Sequence, residues 1–325
     1  MTTKEKLLDL FEQNKGTYLS GEDIASALSL SRTAVWKAVK SLQKEGYQID
    51  AIPNKGYSLS VKTDILSPQG IQKYLEPICS HVDLHVLPTA ISTNTLMREK
   101  ASAGTPEGSI LIANTQTEGR GRIGRSFFSP ADTGIYMSLL LRPRRYSSRQ
   151  AFRLTTMAAA AACDAIEKVA KKTAQIKWVN DIYMDNKKVS GILTEASFGL
   201  EDGFLEYAIL GIGLNVYPPK EGFPKELAGT AGSIFSAPQN DGKNHLAAEF
   251  LNSFMTYYSM PEQTDYTKTY REHSLVIGKE ILVHSQGESR KALALDIDEE
   301  CRLLVKYENG ETQLLSFGEI SVTLS

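Results

Sequence analysis

The run Gly119-Arg120-Gly121-Arg122-Ile123-Gly124-Arg125 constrains the fold of this chain more than any other stretch. Its first six residues fit G-x-G-x-x-G, the spacing of a dinucleotide-binding turn. Such a turn needs a helix directly after the glycines, because the helix N-terminus holds the pyrophosphate. Here the chain continues through Ser126-Phe-Phe-Ser-Pro130 into Gly134-Ile-Tyr-Met-Ser-Leu-Leu-Leu141, a turn and then a strand. That context rules out the Rossmann reading, and no Gly-Lys-Ser/Thr is present there to make a Walker loop. A second near-match, Gly211-Ile-Gly213-Leu-Asn215, runs into two prolines and also opens no helix. What is left is a loop between strands. Its glycines let the backbone wrap a ligand, and its arginines grip anionic oxygens in pairs. Three guanidinium groups this close repel one another unless an anion is present, so the ligand should carry carboxylate, phosphate or both.

The flanking pattern points the same way. Leu84–Pro88 and Ser109–Glu118 read as strands, with a helix between them capped by the Ser92-Thr93-Asn94 cluster and closed by Gly104. A long helix spans the alanine-rich stretch from Ser148 to Lys172. Strands then follow at Ala174–Met184, Lys187–Ser197 and Phe204–Tyr217, and a helix at His245–Tyr258. Hairpin-like successions with few helices favour an α+β domain on a mixed, mainly antiparallel sheet. Within it, Lys177-Trp178-Val179-Asn180-Asp181 ends a strand. Alternation predicts Lys177 and Asp181 on one face and Trp178 and Asn180 on the other. Lys188 opens the next strand, ahead of Val189-Ser-Gly191-Ile-Leu193. Asn215 follows two glycines, where a ring can approach the backbone closely.

In front of this domain stands a smaller module. Leu7, Leu8 and Phe11 make one helical stripe. Ser20 caps a second helix with Ile24, Ala25 and Leu28 inward, and Ser31 caps a third with Val35, Ala38, Val39 and Leu42 inward. From Ser31 to Lys44 there are four basic residues and no acidic one. Two short strands follow around a Pro53-Asn-Lys-Gly56 turn. Three helices, a tight turn and a hairpin in this order make a winged helix-turn-helix. Its third helix would enter a major groove through Arg32, Thr33, Lys37 and Lys40, with Lys55 on the wing bracing on phosphate. Trp36 fits either packing or contact. Pro68 and Gly70 read as breakers in a linker, so the domains are drawn at 1–63, 64–272 and 273–325. The last has short alternating strands and an Asn309-Gly310 hairpin signal, as in a small SH3-like β-barrel.

With a net charge of −2, any nucleic-acid surface must be a local patch. Cys79, Cys163 and Cys301 are odd in number and widely spaced, which suits three buried thiols rather than disulfides or a zinc site. The amphipathic, acid-bearing N-terminus is no secretory signal, and no run approaches the ~18 apolar residues of a membrane span. A reducing cytoplasm is the expected setting.

The set GRGRIGR, KWVND, KVSGIL from Lys188 and GIGLN resembles, in order, the motifs of biotin–protein ligases. With the winged helix in front, nearly the whole chain is similar to the bifunctional members that also repress biotin biosynthetic genes. One departure is Val179, where that family usually has proline, and it removes no chemical group. The resemblance implies a class II synthetase-like catalytic domain with biotin and ATP as substrates and Mg2+ in attendance. Biotin and ATP would give biotinyl-5′-AMP and pyrophosphate. A lysine of a biotin carboxyl carrier protein domain, part of a biotin-dependent carboxylase, would then attack the mixed anhydride. It further implies that Ser92, Thr93, Asn94, Gln116, Arg120, Gly121, Arg122 and Lys188 read biotin. Arg120, Arg122, Arg125, Asn180 and Asn215 would hold ATP. Lys188, Arg120 and Asp181 would serve catalysis, with Asp181 left between holding Mg2+ and taking the amine proton. A homodimer formed with biotinyl-5′-AMP as corepressor would bind operator DNA. Two other readings stay open: a lipoate-type acyl ligase, and a biotin-sensing repressor that no longer reacts.

Overall fold

The N-terminal helices form where apolar side chains recur at helical spacing. The computed structural model describes residues 1–143, 146–199, 203–260, 264–285, 287–316 and 321–324. Helix α1 (Thr3–Gln13) starts from a reciprocal capping box between Thr2 and Glu5. Ser20 and Ser31 each accept a backbone N–H at the start of α2 (Gly21–Leu28) and α3 (Arg32–Lys44). Leu7, Leu8, Phe11, Ile24, Val35, Val39 and Leu42 close into one core with Leu59. Strands β1 (Ile49–Ile52) and β2 (Gly56–Leu59) pair antiparallel as the wing. The linker differs from the sequence reading. Pro68 does not break structure but opens a short helix, α4 (Pro68–Gln72), at the position where its missing N–H costs nothing, and Ser67 caps it.

The chain divides into two bodies, Met1–Leu75 with Ala237–Ala248, and Glu76–Ser236 with Glu249–Ser325. The first holds a buried ion cluster. Glu12 and Asp241 are each 3% exposed. Lys73 bridges both, lying 2.6 Å from Glu12, and Lys15 also reaches both, at 3.2 and 3.0 Å. Burial alone would raise the Asp241 carboxyl. Hydrogen bonds from Lys73 and Asn244, with the Lys15 charge, outweigh it and hold that carboxyl below its ordinary value.

In the second body, β3 (Asp83–Leu87), α5 (Thr93–Ser102), β4 (Ser109–Ala113), β5 (Gly134–Leu141) and α6 (Ser148–Ala170) lead to a run of strands. These are β6 (Gln175–Lys177), β7 (Asp181–Met184), β8 (Lys187–Phe198) and β9 (Leu205–Asn215). The sheet order is β3-β4-β5-β9-β8-β7-β6, with β3 and β4 parallel and every other pair antiparallel. The mixed, mainly antiparallel sheet read from the pattern is therefore present. Helix α5 covers one face. On the other lies α6, where Thr155 meets Thr194 of β8 at 2.7 Å. Three helices follow: α7 (Lys225–Ala228), α8 (Gly242–Ser259), which begins within the Ala237–Ala248 stretch of the first body, and α9 (Tyr266–Glu272). The last module is a five-stranded antiparallel sheet of β10 (Glu280–Ser285), β11 (Glu288–Ile297), β12 (Leu303–Tyr307), β13 (Thr312–Leu315) and β14 (Ser321–Leu324). Gly310 takes a left-handed φ of 85° at the β12–β13 turn, as the Asn-Gly signal predicts. All three cysteines are free and buried.

Candidate active site

The glycine–arginine run folds as a small hairpin on itself. Gly121 N–H donates to the Arg125 carbonyl at 2.7 Å and Phe127 N–H to Gly119 at 2.8 Å. Ile123 and Gly124 form its tip with left-handed φ of 55° and 70°. For a β-branched residue that is a genuine outlier, and Ile123 is 66% exposed there. The hairpin borders a cavity of about 650 Å³.

Of the residues singled out from the sequence, Ser92, Thr93, Asn94, Gln116, Arg120, Gly121, Arg122, Arg125, Asn180, Asp181 and Lys188 line this one cavity. Asn215 does not. Its amide donates to the Gly232 carbonyl at 3.1 Å, tying the end of β9 to the following loop. The continuous strand expected through Lys177–Asp181 is broken, although Lys177 and Asp181, paired across the turn, still share a face. The strand stops at Lys177, the chain turns through Trp178–Asn180 with a cis Trp178–Val179 peptide, and β7 begins at Asp181. Because the chain turns instead of running straight, Lys177, Trp178, Asn180 and Asp181 all reach the cavity.

At the start of α5, Ser92 sits at the N-cap position but does not cap the helix. Thr93 N–H donates to Gln116 Oε1 at 2.8 Å, and the Gln116 amide donates to Ser129 Oγ at 2.9 Å. Asn94 donates to Glu195 at 2.9 Å, and Glu195 also pairs with Arg98 and, at 3.4 Å, with Arg120. Beneath them the glycines at 211 and 213 share a face of β9. A Cβ at Gly211 would collide with the Asn94 carboxamide, and one at Gly213 with the Phe127 ring. The GIG spacing therefore leaves room for both side chains on one strand face.

Arg120, Arg122, Arg125, Lys177 and Lys188 bring five cations to the wall, and Asp181 is its one carboxylate among the described residues. Lys188 Nζ lies 2.6 Å from Asp181, and Arg122 donates to Asn180 Oδ1 at 2.9 Å. Burial lowers the affinity of Arg122 and Lys177 for their protons, and the Asp181 charge only partly offsets this. Such a wall is short of negative charge until an anionic ligand arrives.

Sequence reasoning missed three contributors. Phe127 lies against Gly213 of β9. His284 and Thr323 come from the C-terminal sheet and line the same cavity. The His284 ring bonds Ser289 at 2.7 Å and Thr323 at 2.9 Å. A lone histidine on a short strand carries no local signal that a distant cavity needs it. The C-terminal sheet is anchored nearby, since Trp178 Nε1 donates to the Cys301 carbonyl at 3.0 Å.

In the first body, α3 presents Thr33, Trp36, Lys37 and Lys40 on one exposed face, with Arg32 exposed at its start. Trp36 is 51% exposed, so it belongs to that face and not to the core. Lys55 on the wing stands over the Tyr18 ring, 4.1 Å from its centre. No helix among the described residues is long and apolar enough to cross a membrane.

The profile of the Biotin/lipoate A/B protein ligase family matches residues 86–215, an HTH domain matches 3–58, and the Biotin protein ligase C terminal domain matches 276–322. The chain is 34% identical to the bifunctional ligase/repressor BirA of Bacillus spizizenii over 319 residues, 97% of each chain. It is 34% identical to that of Bacillus subtilis over 321 residues, again 97% of each. A biotin protein ligase from Aquifex aeolicus, solved in complex with biotin and ATP, shares the fold with a TM-score of 0.64 at 24% identity, over 75% of this chain and 99% of that one. A winged helix-turn-helix, a mixed-sheet ligase domain and a C-terminal antiparallel sheet in one chain agree with these matches: the chain belongs to the BirA family of bifunctional ligase/repressors.

Proposed function

We propose that this chain activates biotin with ATP, transfers it to a lysine of a biotin carboxyl carrier protein domain, and binds operator DNA as a repressor. One observation carries the reading: a single cavity joins a neutral hydrogen-bonding cluster at Thr93, Asn94 and Gln116 to five cationic side chains. A ureido ring, with N–H donors and a carbonyl acceptor, suits the first part, and a carboxylate against a triphosphate suits the second. In the first step a biotin carboxylate oxygen bonds the α-phosphorus and the bond to the pyrophosphate leaving group breaks. Both reactants are anionic. Arg120, Arg122 and Arg125 offset that repulsion, and Lys188, aimed by its pair with Asp181, stands beside the oxygens where charge collects. In the second step the carrier amine bonds the acyl carbon and AMP leaves with the acyl–oxygen electron pair.

Mg2+ fits this wall in a limited way. Asp181 is its one carboxylate, and no group of three metal-binding side chains occurs among the described residues. A Mg2+ held by Asp181 would depend mainly on substrate phosphates for its ligands, as is usual for this ion, and would neutralise phosphate charge. The alternative role of Asp181, taking the proton of the incoming amine, uses the same carboxylate. Asn180 lines the cavity and is our choice for an adenine or ribose contact. Asn215 is retained for that role only if its bond to Gly232 opens. Repression follows if biotinyl-5′-AMP favours a homodimer, because two winged helices on a two-part site bind far better than one. The division of labour is 1–63 for DNA, 64–272 for catalysis and 273–325 as an accessory that helps form the cavity wall.

The test is ATP–pyrophosphate exchange. Biotin should support exchange of label between pyrophosphate and ATP, and lipoate should not. Exchange with lipoate alone would move the chain to the lipoyl ligases. No exchange with either would leave a sensor without catalysis.

A further inference from the structure

Ser138 lies in the middle of β5, a fully buried strand, and is 0% exposed. Its hydroxyl stands 2.6 Å from Asn94 Oδ1 and 2.8 Å from Thr93 Oγ1. The directions of these bonds follow from chemistry alone. Asn94 Nδ2 faces two groups that only accept, Glu195 Oε2 at 2.9 Å and the Leu193 carbonyl at 3.3 Å. The amide is therefore fixed with Oδ1 toward Ser138. An amide oxygen only accepts, so the single Ser138 proton points at it. Thr93 Oγ1 then has two acceptors in reach, Ser138 Oγ and Gln116 Oε1 at 3.2 Å. With the Ser138 proton on Asn94 and Gln116 Oε1 already accepting the Thr93 N–H at 2.8 Å, the 2.8 Å contact to Ser138 takes the Thr93 hydroxyl proton, and Thr93 keeps a lone pair for a ligand. The far side of the cluster is fixed likewise. Ser129 donates to the Phe127 carbonyl at 3.0 Å and so must accept from Gln116 Nε2.

We propose that Glu195 and Ser138 are positioning residues that set the proton polarity of the head-group cluster and make Thr93 an obligate acceptor. The site thereby selects a ring that brings an N–H donor to Thr93. Neither residue lines the cavity; both act through Asn94 and Thr93. The inference rests on the ligase reading and adds the origin of its specificity.

The experiment measures KM in pyrophosphate exchange with the full chain, for biotin and for two cyclic carbamate analogues in which one or the other ureido N–H is replaced by oxygen. Wild-type protein should favour biotin over the analogue that meets Thr93 with oxygen by about tenfold or more, because that analogue sets one acceptor against another. Ser138→Ala frees the polarity of the chain, so this ratio should fall to about threefold or less while KM for ATP stays put. Glu195→Gln, which lets Asn94 turn over, should lower the ratio in the same direction, and it carries the comparison if Ser138→Ala loses its folding transition. An active wild-type enzyme that accepts biotin and both analogues equally, or variants that keep the full ratio, would overturn the inference alone. A wild-type chain inert toward biotin would overturn the ligase reading and the inference with it.

Discussion

Arg122 is the residue in which burial and function meet most directly. Its guanidinium is held by Asn180, and burial lowers its hold on its proton. The fold itself meets the cost of desolvating that charge, so a phosphate that binds there gains the full charge-assisted bond. Arg122→Gly removes that bond. The dissociation of biotinyl-5′-AMP should then quicken by about tenfold to a hundredfold, and the escaped adenylate should label free lysines. A chase of bound, labelled adenylate measures this, and an unaltered off-rate would end the clamp role. Arg120 is a different case. It already has a partner in Glu195 at 3.4 Å, so its engagement with a ligand is an exchange between two anions.

At the scale of elements, α3 makes the clearest case. Its buried face of Val35, Ala38, Val39 and Leu42 leaves Lys37 and Lys40 outward on the same side as Thr33 and Trp36. Each lysine that meets a phosphate releases counterions. Replacing both Lys37 and Lys40 by Ala should therefore flatten the plot of log affinity against log salt by about two, roughly one per contact, on any DNA the module binds. An unchanged slope in a titration from low to moderate salt would place the DNA elsewhere. This helix is legible in the sequence because its caps, spacing and charge are all local. The glycine–arginine hairpin is legible for the same reason, since the turn and strand on its C-terminal side exclude a helix there. The turn at Trp178–Asn180 is not. Alternation presumes a continuous strand, and the pairing of Lys177 with Asp181 across a tight turn is set by tertiary structure. Pro68 misleads because a proline that stops one helix can start another. His284, Thr323 and Ser138 cannot be assigned a task from neighbours in sequence, although a serine among the large apolar residues of the strand Gly134–Leu141 is a signal available to be used.

For the whole molecule, the ion cluster around Asp241 adds a pH-dependent part to the stability of the first body. Asp241→Asn leaves Lys15 and Lys73 with Glu12 alone, and breaking a buried pair in this way costs about 3 kcal/mol. The pH sign comes from the lowered carboxyl. The folded protein binds this proton less tightly than the unfolded chain does, so the stabilisation is complete above the ordinary carboxylate value, about 3.9. It is lost as pH falls through the lowered folded value. Thermal melts of wild-type and Asp241→Asn protein should therefore differ most near neutrality and converge on acidification below about pH 4. A difference that stays constant over that range would assign the effect to something other than this charge. The same cluster bears on the order in which the protein is made. Its second carboxylate lies in the stretch Ala237–Ala248, distant in sequence from Lys15 and Lys73. On the ribosome, every strand of the seven-stranded sheet emerges before Asp241 does, so until then this cluster holds two lysines and one acid. A chain cut short before Asp241 keeps the apolar core from Leu7 to Leu59 but leaves Lys15 and Lys73 to share the single carboxylate of Glu12.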